Sequence, residues 1–163
     1  MEKEKKELRR YQNTMVIYGT GVILFGFWNL LKTILSFVFQ TEDMREILEE
    51  MRKERFIAIF YILFFVIILG VDLLLRLNVG LSARAEGFGQ KRKHGYLISA
   101  AVLIASSVFS LYMVFTQFTL ADSNLLTLLT GAVIELTSMA TLIELFVAVL
   151  RAKSLEKRLA GWR

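Results

Sequence analysis

The sequence predicts an all-α, polytopic membrane protein: four transmembrane helices in an antiparallel bundle, with both termini on the cytoplasmic side. Three observations carry this. Four apolar runs, at about 14–39, 56–77, 96–120 and 125–150, each hold about 22 to 26 residues; at about 1.5 Å per residue such a run exceeds the roughly 30 Å hydrocarbon layer of a bilayer. Hydrophobic residues make up 55% of the chain, with no proline and no cysteine, which is richer in apolar side chains than soluble domains are. Basic residues gather where the runs stop.

Those basic residues set the orientation, because positively charged loops stay on the cytoplasmic side. The N-terminal tail has Lys3, Lys5, Lys6, Arg9 and Arg10. The second loop has Lys91, Arg92 and Lys93 after Arg76 and Arg84, and the C-terminal tail has Arg151, Lys153, Lys157, Arg158 and Arg163. In the first loop the basic residues are outweighed by Glu42, Asp43, Glu46, Glu49, Glu50 and Glu54, and the third loop, 121–124, has no Lys or Arg. The first and third loops are therefore expected outside. Little chain is left for a globular part, so residues 1–163 read as one membrane domain, in the plasma (inner) membrane of a prokaryote.

The first run follows the basic tail but is too long for a secretory signal and lacks a small-residue cleavage pattern, so it is expected to stay as a signal-anchor span. Tyr18, Val22, Asn29, Thr33, Ser36 and Gln40 share one stripe of it, with Lys32 beside them. Gly19 and Gly21 read as a close-packing point. Met44, Ile47, Leu48 and Met51 recur at helical spacing after Thr41, predicting a short outer amphipathic helix over 42–54. It either lies at the interface, extends the second span or acts as a lid or oligomer contact.

The second run is almost wholly Phe, Ile, Leu, Val and Tyr from 56 to 69, which suits a helix facing lipid. The loop at 80–95 combines glycines with Lys91, Arg92 and Lys93, candidates to attract anionic lipid headgroups at about 1 kcal/mol each; topology alone also explains them. In the third run Ser99, Ser106, Ser110, Met113 and Gln117 form a stripe. The fourth has a broader polar face, from Thr127, Thr130 and Gly131 through Thr137, Ser138 and Thr141 to Ala148. Small and hydroxylated faces let membrane helices approach and hydrogen-bond, so these two spans are expected to pack as a hairpin.

Ionisable residues inside the spans are the candidate functional groups, because charge at bilayer depth is costly. Glu135 lies near the middle of the fourth run, nine residues from Glu144, and at 100° per residue the two point to opposite sides about 13 Å apart. Two sites are therefore expected. An outer-to-middle one holds Glu135, Lys32 and Asn29; an inner one holds Asp72, Arg76 and Glu144. Lys32 either pairs with Glu135 or snorkels outward, and Asp72 and Arg76 have the favoured i,i+4 order for an ion pair. Glu144 has either a functional role or a tie to Arg151 or Arg76.

The expected function is proton or cation transport, channel-like, through these carboxylates in a homo-oligomer, since four spans alone make a thin bundle. The alternative is a non-transporting accessory, scaffold or sensor whose charges only fix helix register. The general plan, four spans with a membrane glutamate, is similar to that of small multidrug-resistance transporters; there the glutamate is in the first helix, the chain is shorter, and no motif of theirs occurs here. With His94 as the sole histidine and no cysteine, no enzyme, metal site or cofactor is expected. The net charge of +5 is positive-inside charge rather than a nucleic-acid footprint.

Overall fold

A computed structural model describes residues 2–38, 55–90, 95–120 and 125–160. They form four helices: α1, Glu2–Val38; α2, Arg55–Gly87; α3, Gly95–Leu120; and α4, Leu125–Ala160. No strand occurs among the described residues. All four helices are long and apolar enough to cross a membrane, and the chain reads as an integral, multi-pass membrane protein. The expected outer helix at 42–54 and the headgroup candidates Lys91, Arg92 and Lys93 lie outside the described residues.

Three helices run past their expected spans. α1 begins at Glu2, with Glu2 and Glu4 in its first turn, and α4 continues to Ala160, with Lys157 and Arg158 in its last. Acids at an N-terminus and bases at a C-terminus complement the helix dipole, so these tails carry their own helix signals. The third extension corrects the sequence reading. α2 does not end near Leu77; it continues to Gly87, through the stretch read as a flexible loop.

The glycines there serve packing instead. A Cβ on Gly80 would lie 2.6 Å from the Gly19 carbonyl oxygen and 2.5 Å from Ile23 Cγ1, and one on Gly19 would lie 2.9 Å from the Gly80 oxygen. The two backbones touch where these residues cross, which only glycine allows. The helix stops at Gly89, whose φ of +83° is the left-handed conformation. Gly89 N–H donates to the Glu86 carbonyl at 2.9 Å and Gln90 N–H to that of Ala85 at 3.0 Å, a Schellman cap.

α1 packs on α2 and α4, while α3 packs on α4 and α2, closing a four-helix arrangement. The α3 face differs from expectation. Tyr96, Ala100, Leu103 and Ser107 are buried, whereas Ser106 and Met113 of the expected stripe are exposed. Apolar Tyr, Ala and Leu outweigh the hydroxyls in choosing which side turns inward. On α2 the structure agrees with the sequence: Phe56, Phe60, Phe64 and Ile68 are all exposed, consistent with a lipid-facing surface.

Candidate functional site: a polar layer in the middle of the bundle

Arg76 is 3% exposed, the most deeply buried charged residue among the described residues. Its Nε donates to Asp72 at 3.0 Å, one turn back on α2, forming the expected i,i+4 ion pair. Its Nη1 donates to Ser138 Oγ on α4 at 2.8 Å. Room for its stem comes from α1, because a Cβ on Gly26 would lie 3.3 Å from both Arg76 Cβ and Cδ. One guanidinium thus joins three helices. Five donors in a fixed fork let Arg do this where Lys could not.

Contacts between helices fix the level of the other candidates. Tyr11 bonds Arg151 and a Cβ on Gly21 would meet Thr141, so ten residues forward along α1 correspond to ten backward along α4. Six more bring Phe27 level with Glu135. On the other side Gly26 faces both Leu73 and Arg76, which puts Asp72 within about one turn, 5.4 Å, of the same level. Asn29 lies seven residues beyond buried Val22 on the same face of α1 and is half-buried, as is Glu135.

The two-site division is therefore corrected. Asp72 and Arg76 sit at the depth of Glu135 and Asn29, in one layer, because α2 extends ten residues past Leu77 and its inner end is not where the apolar run stops. Lys32 is exposed, five residues or about 7.5 Å beyond that level, and among the described residues no ion pair joins it to Glu135. The reason is angular: Glu135 lies six residues, about 120° round α4, from Thr141, which faces α1. Glu144 is exposed and about 13 Å from Glu135 along the helix, so it stays outside the layer, as its spacing required.

The layer also marks where the core ends. Met15, Val22, Val79, Ala83, Leu103, Leu142, Leu145 and Val149 are all buried between it and the end that carries the chain termini. On the other side of it none of the residues whose side chains are described is buried. Sequence reasoning could not find this boundary, since apolar residues are equally dense in both halves. An apolar groove of about 520 Å³ lies between α1 and α4, lined by Gly21, Leu24, Phe25, Phe27, Trp28, Leu31 and Ile134. It has no group to hold an ion.

A second cluster, not singled out by the sequence, lies at the terminal end. The Tyr96 hydroxyl on α3 donates to the Glu86 carboxylate on α2. Lys153 Nζ on α4 is 3.4 Å from Glu86 Oε1 and 5.5 Å from the centre of the Tyr96 ring. Arg151 Nη1 donates to the Tyr11 hydroxyl at 3.1 Å, tying α4 to α1. Its signal was hidden because Glu86 stood in an expected loop and Lys153 in an expected tail.

No protein-family model matches the chain, and comparison with curated proteins and with solved structures gives no match.

Proposed function

We propose that this protein moves a proton or a small cation across the membrane, acting as a homo-oligomer, with Glu135 as the group that takes the ion. One observation carries the reading: the mid-bundle layer holds Arg76 neutralised by Asp72, together with Glu135, whose charge has no opposite partner in that layer among the described residues. A lone carboxylate at bilayer depth is neutralised at least cost by a proton or a bound cation. Arg76 then acts as a fixed counter-charge that keeps Asp72 occupied, leaving a single exchanging site. Half-buried Glu135 and Asn29 can receive an ion that a buried group could not.

The competing reading is a non-transporting module in which buried charge fixes helix register. It is favoured by the Arg76–Ser138 bond, which needs no transported ion to explain it. The two part in proteoliposomes with a pH gradient or a potassium diffusion potential. Transport predicts a flux in the intact protein that Glu135→Gln abolishes while the oligomer persists. Absence of flux in well-folded, intact protein, with loss of assembly in Glu135→Gln, would establish the module instead.

A further inference from the structure

We infer that the groove between α1 and α4 holds one acyl chain of an anionic phospholipid from the surrounding bilayer, with the lipid phosphate on Lys32. The groove starts where the two helices touch, since a Cβ on Gly21 would lie 3.2 Å from Thr141 Cγ2. It opens along α1 as far as Leu31, with Ile134 as its wall on α4. That length of α1 rises about 15 Å, so a volume of about 520 Å³ gives a mean cross-section of about 35 Å². A second helix, about 10 Å across, would need more than twice that. One extended hydrocarbon chain fits, and the apolar lining suits it.

A lipid tail gains little by leaving the equally apolar tails around it, so the headgroup decides which lipid stays. Lys32 supplies that choice. It stands eleven residues after Gly21, which at 100° per residue returns it to within about 20° of the same side of α1. Trp28, one turn before it, lines the groove. Lys32 is exposed, and among the described residues no ion pair occupies it. Phe27 is midway along the apolar run 14–39, so Lys32 lies about 7.5 Å toward the edge of a hydrocarbon layer whose half-thickness is about 15 Å. Its four-carbon stem carries the ammonium most of the remaining way to the phosphates. A cation at the mouth of an apolar groove between membrane helices selects an anionic headgroup. The site makes no use of Glu135, so it does not depend on ion transport.

Trp28 reports on the groove directly. It and Trp162 are the two tryptophans of the chain, so Trp162→Phe leaves a single fluorophore, whose emission a brominated acyl chain quenches on contact. In phosphatidylcholine vesicles holding a small share of brominated lipid, brominated phosphatidylglycerol should compete for Trp28 about fivefold better than brominated phosphatidylcholine, the scale of one basic residue on an anionic headgroup. Lys32→Gln should remove that preference and Lys32→Arg should keep it. Ile134→Phe, which fills the groove and leaves the charge, should abolish most of it. Unchanged circular dichroism and gel-filtration peaks show that each variant is folded. Equal quenching by the two lipids in the Trp162→Phe protein, or a preference that survives Lys32→Gln, overturns the proposal. So does a preference that survives Ile134→Phe, because Lys32 would then act on lipid outside the groove. Quenching of Trp28 by neither lipid would mean that a second copy covers the groove. Displacement of the brominated phosphatidylglycerol by an unlabelled long-chain fatty acid at the same share of the bilayer would give the site to a free carboxylate. Either result overturns the phospholipid as occupant.

Discussion

Arg76 and Ser138, sixty-two positions apart, meet at 2.8 Å where the buried core ends. The bond places a charge from α2 against a hydroxyl of α4 over the glycine of a third helix, Gly26. Packing on one side of this contact and exposure on the other make it the hinge of the fold's organisation. It also makes the parts of the contact separable by substitution.

Asp72→Asn should cost more stability than Ser138→Ala. The first leaves a guanidinium only 3% exposed without its counter-charge, a loss of about 3 kcal/mol, at the lower end for buried pairs because the Asp72 side chain keeps 30% exposure. The second removes a neutral acceptor between membrane helices, about 1 kcal/mol. Reversible unfolding in mixed detergent measures both. Equal costs would show that Ser138, not Asp72, is the group that holds Arg76 in place.

Gly80→Ala should weaken the α1–α2 pair by about 1–3 kcal/mol, the range for overpacking, because its Cβ would lie 2.6 Å from the Gly19 oxygen and 2.5 Å from Ile23 Cγ1. Gly70→Ala, on the same helix, has nothing within 4 Å and should be neutral or stabilising by up to about 1 kcal/mol, since alanine restricts the backbone more than glycine. The same unfolding assay compares them. A Gly80→Ala protein as stable as Gly70→Ala would mean that the crossing can open without loss.

The number and type of elements were legible because a membrane span needs a long apolar run, and such a run has few other structural uses. The Asp72–Arg76 pair was legible for a similar reason: both partners stand on one helix, so spacing alone places them. Cross-helix relations were not. Lys32 stands about 7.5 Å along α1 beyond the level of Glu135 and on a side that does not meet it, and the angle between helices is set by contacts such as Gly19–Gly80 that no run of hydrophobicity records. The loop reading of 80–87 failed because glycine has two meanings, flexibility in water and close approach in a packed membrane interface.

Gly89→Ala should fray the end of α2. An L side chain at a φ of +83° costs on the order of 1–2 kcal/mol, and the cap formed with Glu86 and Ala85 would loosen. Amide hydrogen exchange should quicken over the last turn, near Glu86, and stay unchanged around Gly80. Uniform acceleration along α2 would show that the cap supports the whole helix rather than its end.

Glu135→Leu should raise stability while removing any ion flux. A carboxylate midway along a membrane-spanning helix with no ion-pair partner among the described residues is costly to keep, and residues retained at a cost to stability are those that activity needs. Leucine would give the same helix an apolar side chain in place of that charge. Lys32→Gln and Glu144→Gln serve as comparisons, because both residues are exposed and substitutions away from packed contacts change stability by within about 0.5 kcal/mol. Thermal unfolding in one detergent orders the three. If Glu135→Leu is instead the least stable, its carboxylate is part of the structure, the uncompensated charge is satisfied through assembly, and the case for an exchanging ion at Glu135 falls.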